Sequence, residues 1–216
     1  MIDYKNYTAE IEIIGQIEGG VPKDPAIIKT WLETKGISSA DVYQETVAAM
    51  GGEANGDELQ ADASEKHWCG FKSGDVGLYI ETRQIKAALK EAANVNKDAL
   101  TKYNPKLKQA KARIAERVFI YELDDPDQIP LGRETPSGTE QRVVHAMSRR
   151  GPVHSIKLTD YVSAPILSFR IEVLDDGLFT KEALTALLEY MGRNGIGSNR
   201  SQGAGQFKLL ELQEQG

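Results

Sequence analysis

The stretch that decides the fold runs from Leu167 to Leu212: L-S-F-R-I-E-V at 167–173, a Thr180-led segment to Asn194, then N-G-I-G-S-N-R-S-Q-G-A-G at 194–205 and Q-F-K-L-L-E-L at 206–212. Leu167, Phe169, Ile171 and Val173 alternate with Ser168, Arg170 and Glu172, which is the period of a half-buried strand. Thr180 stands where a helix N-cap is expected, and Phe179 and Leu184 hold the staple positions around it. Leu184, Leu187, Leu188 and Met191 then recur at helical spacing. Phe207, Leu209 and Leu212 supply a last strand. This is a β-α-β unit with a glycine-rich joint between helix and second strand.

The rest of the chain fits around that unit. Thr8–Ile14 alternates, with Ala9, Ile11 and Ile13 against Glu10 and Glu12. Asp24-Pro25 reads as an N-cap and N1 proline opening a helix that carries Ile27, Ile28, Trp31 and Leu32. Residues 51–66 are acidic and without period, so a loop insertion is expected there. Gly77–Ile80 reads as extended, with Thr82 capping a helix to about Asn94. Its apolar side is Ile85, Ala88, Leu89 and Ala92; its positive side is Arg83, Lys86 and Lys90. Asn104-Pro105 opens a second basic helix to about Arg117, and Val118–Leu123 reads as a strand. Asp124–Pro136 reads as turn or loop. Gln141–Ser148 reads as a strand interrupted at Arg149-Arg150-Gly151-Pro152, as a hairpin tip would be. The expected fold is α+β: a ferredoxin-like or RRM-like core, an antiparallel sheet with helices on one face plus insertions, in one domain over 1–216.

Composition narrows the function classes. No apolar run approaches the ~18 residues that span a bilayer, and the N-terminus lacks a signal peptide's pattern. The single cysteine, Cys69, fits a reducing cytoplasm. With His67 it is too few ligands for zinc, so neither metal nor cofactor is expected. The net charge of −6 is unevenly spread: residues 1–82 hold 6 basic and 15 acidic groups, residues 83–117 hold 10 and 3, and residues 140–170 hold 5 and 2. A local basic surface sets affinity for polyanions, whatever the total. Two basic but merely solvated faces are the plainer alternative.

The glycine loop asks for a backbone ligand. Gly195, Gly197, Gly203 and Gly205 permit positive φ and remove the β-carbons that would hold a ligand off. Free N–H groups in such a loop form an anion-binding concavity, to which Ser198, Asn199, Arg200 and Ser201 add donors. A glycine-capped helix followed by a plain turn explains Gly195 equally well. A dinucleotide site is excluded, because there the strand leads in and the helix leads out. Here the order is reversed.

The helix, G-I-G-S-N-R-S-Q-G-A-G and Q-F-K-L-L-E-L together resemble the C-terminal glycine-rich signature of the RAMP superfamily of CRISPR-associated proteins. The segment Leu78–Ala93 is similar to the stretch of backbone-type RAMP subunits where an extended segment enters a helix, with Ile80-Glu81-Thr82-Arg83 in place of the family's Pro-Gly-Ser-Ser and Ala87 in place of the glycine inside the helix motif; in the C-terminal loop Gly203-Ala204-Gly205 stands where Gly-Phe-Gly is common. The resemblance implies an RNA-binding subunit that holds single-stranded guide RNA alongside copies of itself or related subunits. It points to Arg83, Lys86, Lys90, Arg142, Arg149, Arg150 and the loop glycines, with Ser198, Asn199, Arg200 and Ser201, as RNA contacts. Some family members cut RNA; His145 and His154, set among Arg142, Arg149 and Arg150, are the catalytic candidates. The alternatives are that both histidines are polar residues of a basic hairpin, and that the chain is a self-assembly module without RNA.

Overall fold

A computed structural model describes residues 2–23, 66–121, 127–148 and 151–215. In chain order the elements are β1 (Tyr4–Ile13), β2 (Gln16–Glu18), β3 (Val21–Pro22), β4 (Lys66–Gly70), β5 (Lys72–Gly74), β6 (Gly77–Glu81), α1 (Thr82–Val95) and α2 (Lys97–Leu100). A 3₁₀ turn, Pro105–Gln109, leads into α3 (Ala110–Arg117), followed by β7 (Val118–Tyr121), β8 (Gln128–Pro130), β9 (Gly138–Ser148), β10 (Gly151–Ser163), β11 (Ile166–Leu174), α4 (Lys181–Asn194) and β12 (Phe207–Gln215). The helix expected from Asp24-Pro25 lies outside the described residues, as does the acidic loop apart from Lys66, the first residue of β4. Among the described residues no helix is long and apolar enough to cross a membrane.

The chain forms two compact units. The first comprises Met1–Ile17, Ile80–Gly132 and Ser163–Gly216. Its sheet has the order β12-β1-β11-β7, with every neighbouring pair antiparallel. Read along the chain this is β-α-β-β-α-β with β1 and β11 at the centre, the ferredoxin-like arrangement expected from the sequence. Alternation explains the packing. Tyr7, Ala9, Ile11 and Ile13 of β1 and Leu167, Phe169, Ile171 and Val173 of β11 are buried, while Glu10, Glu12, Ser168 and Glu172 between them are only half-buried and Arg170 is exposed. Against the buried face α1 contributes Ile85, Leu89 and Ala92, α3 Ile114, and α4 Leu184, Leu187, Leu188 and Met191.

Helix boundaries follow local chemistry, with two differences from the sequence reading. Thr180 Oγ1 accepts the Ala183 N–H at 3.3 Å, as expected of an N-cap. Thr82 is not a cap: Glu81 holds that position without a side-chain capping bond, and Thr82 is a buried first residue of α1 whose N–H donates to the Asp127 carbonyl. The second difference is β8, which lies inside a stretch whose acids and prolines read as loop. Its Ile129 is fully buried, a tertiary gain that local turn propensity does not register. Val118–Tyr121 forms the expected strand, and residues 122–126 lie outside the described residues.

The second unit comprises Glu18–Tyr79 and Arg133–Val162. Its long hairpin pairs β9 with β10 from Gly138↔Tyr161 out to Ser148↔Gly151, and β10 also runs parallel to β4. Arg149 and Arg150, between the two hairpin strands, lie outside the described residues.

Candidate nucleic-acid interface

The glycine loop closes on itself before it presents anything. Gly195 ends α4 with a φ of 82° and donates its N–H to the Met191 carbonyl. Ile196, buried, donates to the Gly205 carbonyl at 2.9 Å, and Gly205 donates to the Gln16 carbonyl at 2.8 Å. The two ends of the loop therefore form a neck of crossed backbone. Gly205 is required there: a β-carbon would lie 1.8 Å from the Ile196 carbonyl oxygen, at a φ of 72°. Gly197 and Gly203 also have positive φ, as does Asn199.

This changes what the glycines do. The N–H groups of Gly195, Gly203 and Gly205 are bonded to protein carbonyls, so they shape the loop rather than face an anion. The half-buried arc 197–200 and the exposed Ser201 remain as the stretch able to meet a ligand. A glycine outside the motif matters as well. Gly192 in α4 has no room for a side chain, because a β-carbon would stand 2.4 Å from the Phe207 carbonyl, and its absence lets α4 lie close on β12. No spacing rule singles it out.

The structure brings the two separated sequence motifs together through Glu91 on α1. One carboxylate oxygen accepts from Asn194 Nδ2 at 3.0 Å, the other from Arg200 Nη1 at 2.9 Å. The Arg200 and Asn194 hydrogen bonds hold the Glu91 carboxyl below its ordinary range, outweighing the small opposing effect of burial. The guanidinium singled out in the loop is thus parked on the helix singled out upstream. Both sites of the pair are solvent-accessible, with side-chain exposures of 32% for Arg200 and 46% for Glu91.

The other candidate cations fare differently. On α1, exposed Arg83 pairs with Glu81 at 2.6 Å. Lys86 turns inward: its Nζ donates to the Ala115 carbonyl at 3.2 Å and lies 4.8 Å from the Phe119 ring centre. Burial, reinforced by the charge of Lys90, lowers the Lys86 pKa. Half-buried Lys90 makes no hydrogen bond or ion pair among the described residues. In the second unit Arg142 is held from two sides, by Glu18 at 2.7 and 3.2 Å and by Glu140 at 2.7 and 3.0 Å. Glu18 is buried, so this guanidinium answers a charge inside the protein. His145 and His154 occupy directly facing register positions of β9 and β10.

One buried cluster was not foreseen from the sequence. Asp160 on β10 accepts from Trp68 Nε1 at 2.9 Å and from Thr139 Oγ1 at 2.7 Å on one oxygen. Lys23 Nζ stands 2.9 Å from the other oxygen, in a contact held by charge rather than by hydrogen-bond alignment. Gly70 makes room, since a β-carbon there would meet both Lys23 and Asp160. The partners come from residues 23, 68, 139 and 160, too far apart in sequence for any motif.

No protein-family model matches the sequence, and no curated protein matches it. Among solved structures, the fold is similar to that of a chain in the Type III-B Cmr-beta bound to cognate target RNA, determined by cryo-EM, with a TM-score of 0.51 and 13% sequence identity. The likeness covers 98% of this chain and 60% of that one, so this chain spans less than two thirds of the length of its neighbour. What the likeness shows is the fold, an α+β architecture with antiparallel sheets.

Proposed function

We propose that this chain is a non-catalytic RNA-binding subunit of a CRISPR-type or related ribonucleoprotein assembly, holding a single-stranded guide by its phosphate backbone. The observation that carries the reading is the Glu91 clasp. It sets a fixed glycine loop, with Arg200 at its rim, directly on the helix that bears Arg83 and Lys90. A phosphate arriving at the rim exchanges with Glu91 for the Arg200 guanidinium, whose planar fork suits either anion. Ser198 and Ser201 add neutral donors, and Arg149 and Arg150, which the sequence sets at a hairpin tip, are further candidate contacts to the same strand of RNA. Fold similarity to a chain of an RNA-bound complex supports the same reading.

The test is titration of labelled single-stranded RNA at several salt concentrations. Arg200→Ala combined with Arg149→Ala and Arg150→Ala is expected to weaken binding at least about tenfold. The salt slope is expected to fall by about 2, since each phosphate no longer neutralised removes roughly 0.7. Unchanged affinity and slope would refute the proposal. Wild-type RNA cleavage that disappears in His145→Ala or His154→Ala would replace it with the nuclease reading.

A further inference from the structure

A second cationic surface lies at the other end of α4. The glycine loop follows the C-terminus of this 14-residue helix, while Asp176 and Leu178 precede its N-terminus, roughly 20 Å away along the axis. Here an open groove of about 870 Å³ is lined by five cations, Lys97, Lys106, Lys108, Arg113 and Arg117, and by two carboxylates, Asp98 and Asp176.

Local chemistry explains how the cations come to face outward. Asn104 Oδ1 accepts the Lys106 N–H at 2.9 Å and Pro105 begins the 3₁₀ turn. Leu107 is fully buried and anchors that turn, which leaves its neighbours Lys106 and Lys108 exposed. Asn104 Nδ2 donates to the Gly177 carbonyl at 3.2 Å, fastening the turn to the segment before α4.

One of the two carboxylates is already engaged. Asp176 accepts from Arg117 Nε at 2.9 Å and from the Leu178 N–H at 3.0 Å. Burial pushes its pKa up, but these bonds outweigh it and hold the group ionised. Asp176 and Arg117 therefore neutralise one another. Lys97, Lys106 and Lys108 have no ion pair or side-chain hydrogen bond among the described residues, and Arg113 reaches Glu116 only at 3.7 Å. Three unpaired lysines and the loosely paired Arg113 then share the concave surface with Asp98. The packing makes no use of the three lysines, and their mutual repulsion works against the compact state.

We propose that this groove carries the sugar–phosphate backbone of single-stranded RNA, extending the path of the strand beyond the glycine loop. Lys97, Lys106, Lys108 and Arg113 take the phosphates. Tyr103, 46% exposed and next in sequence to Asn104, lines a separate shallow depression with Lys181, Thr185 and Glu189, where its ring stacks on a base of a strand that continues past the groove. An acidic polypeptide satisfies the lysines but has no use for the exposed ring. The inference rests on the RNA-binding reading above, and it adds a separate binding site, so each can fail alone.

The experiment titrates labelled single-stranded RNA against the full chain over a range of salt. It compares wild type, the combined Lys106→Gln, Lys108→Gln and Arg113→Gln variant, Tyr103→Ala, and Arg200→Gln. The triple variant is expected to bind at least about tenfold more weakly, with a salt slope reduced by about 2 because its three cations no longer displace counterions. Tyr103→Ala is expected to bind about fivefold or more weakly with its slope unchanged, since stacking releases no counterions. Thermal melting of each variant verifies that it is folded, and the single Lys108→Gln change reads the same arm if the triple variant is not. Wild-type affinity in the triple variant, together with weaker binding by Arg200→Gln, overturns the groove and leaves the loop standing. The reverse pattern overturns the loop and leaves the groove. Displacement of RNA by polyglutamate at equal charge concentration overturns the assignment to nucleic acid.

Discussion

Two acidic side chains, Asp160 and Glu91, each gather a cation and at least one neutral donor, and they do so in opposite surroundings. Asp160 and Lys23 have side-chain exposures of 1% and 7%, whereas Glu91 and Arg200 stand at 46% and 32%. Neither charge of the first pair can be released without leaving its partner stranded in a poorly solvated site. The second pair is bathed in water, so losing it costs little and either partner can be exchanged. Burial thus separates an ion pair that fixes a fold from one that serves as a resting position for a binding group.

Breaking the buried side of the comparison has the largest expected effect. Asp160→Ala strands Lys23 and removes the acceptor of Trp68 Nε1 and Thr139 Oγ1. A drop of about 3–5 kcal/mol is expected in urea unfolding. A drop below about 1 kcal/mol would mean that water reaches the site and that burial does not set the two pairs apart.

Next is the neck of the glycine loop. Gly205→Ala forces a β-carbon against the Ile196 carbonyl in a left-handed backbone, so about 2–3 kcal/mol is expected, with faster amide exchange at Ile196 and Gly205. Gly203→Ala provides the control. Its added carbon meets nothing within 4 Å, which leaves only the cost of its φ of 89°.

The smallest stability effect falls on the exposed pair. Glu91→Gln is expected to change unfolding free energy by less than about 1 kcal/mol, while the freed Arg200 raises RNA affinity measurably. A destabilisation as large as that of Asp160→Ala would erase the distinction. The pair also has a pH signature. Because the Glu91 pKa is lower in the folded state, its contribution is present at neutral pH and is lost as pH falls through the folded value. Amide exchange in residues 195–205 followed from pH 6 downward reads that change.

Some of this was legible in the sequence because its causes are local. The alternation of Leu167–Val173 and Ala9–Ile13 depends only on the two-residue period of a strand with one buried face. Thr180 and Asn104-Pro105 mark helix starts because a side-chain oxygen reaches a backbone N–H two or three residues on. The run 194–205 signals a constrained loop because glycine adopts positive φ without the β-carbon's steric cost. Arg83, Lys86 and Lys90 share a charge and a helical spacing, and that is all the sequence says of them.

What each of those cations does was decided by tertiary structure. Lys86 turns to a carbonyl and a ring on other elements, and Arg83 takes the neighbouring Glu81. Arg142 is claimed by Glu18, 124 positions away, and Arg200 by Glu91, 109 positions away. The order β12-β1-β11-β7 and the Asp160 cluster are likewise products of long-range contact. Periodicity, caps and glycine loops are written in neighbouring residues because backbone geometry acts over a few bonds. Charge partners are set by where the folded chain returns. The sequence by itself therefore determined the loop and the strands around it, and only the tertiary structure decided which of its cations are committed and which face outward.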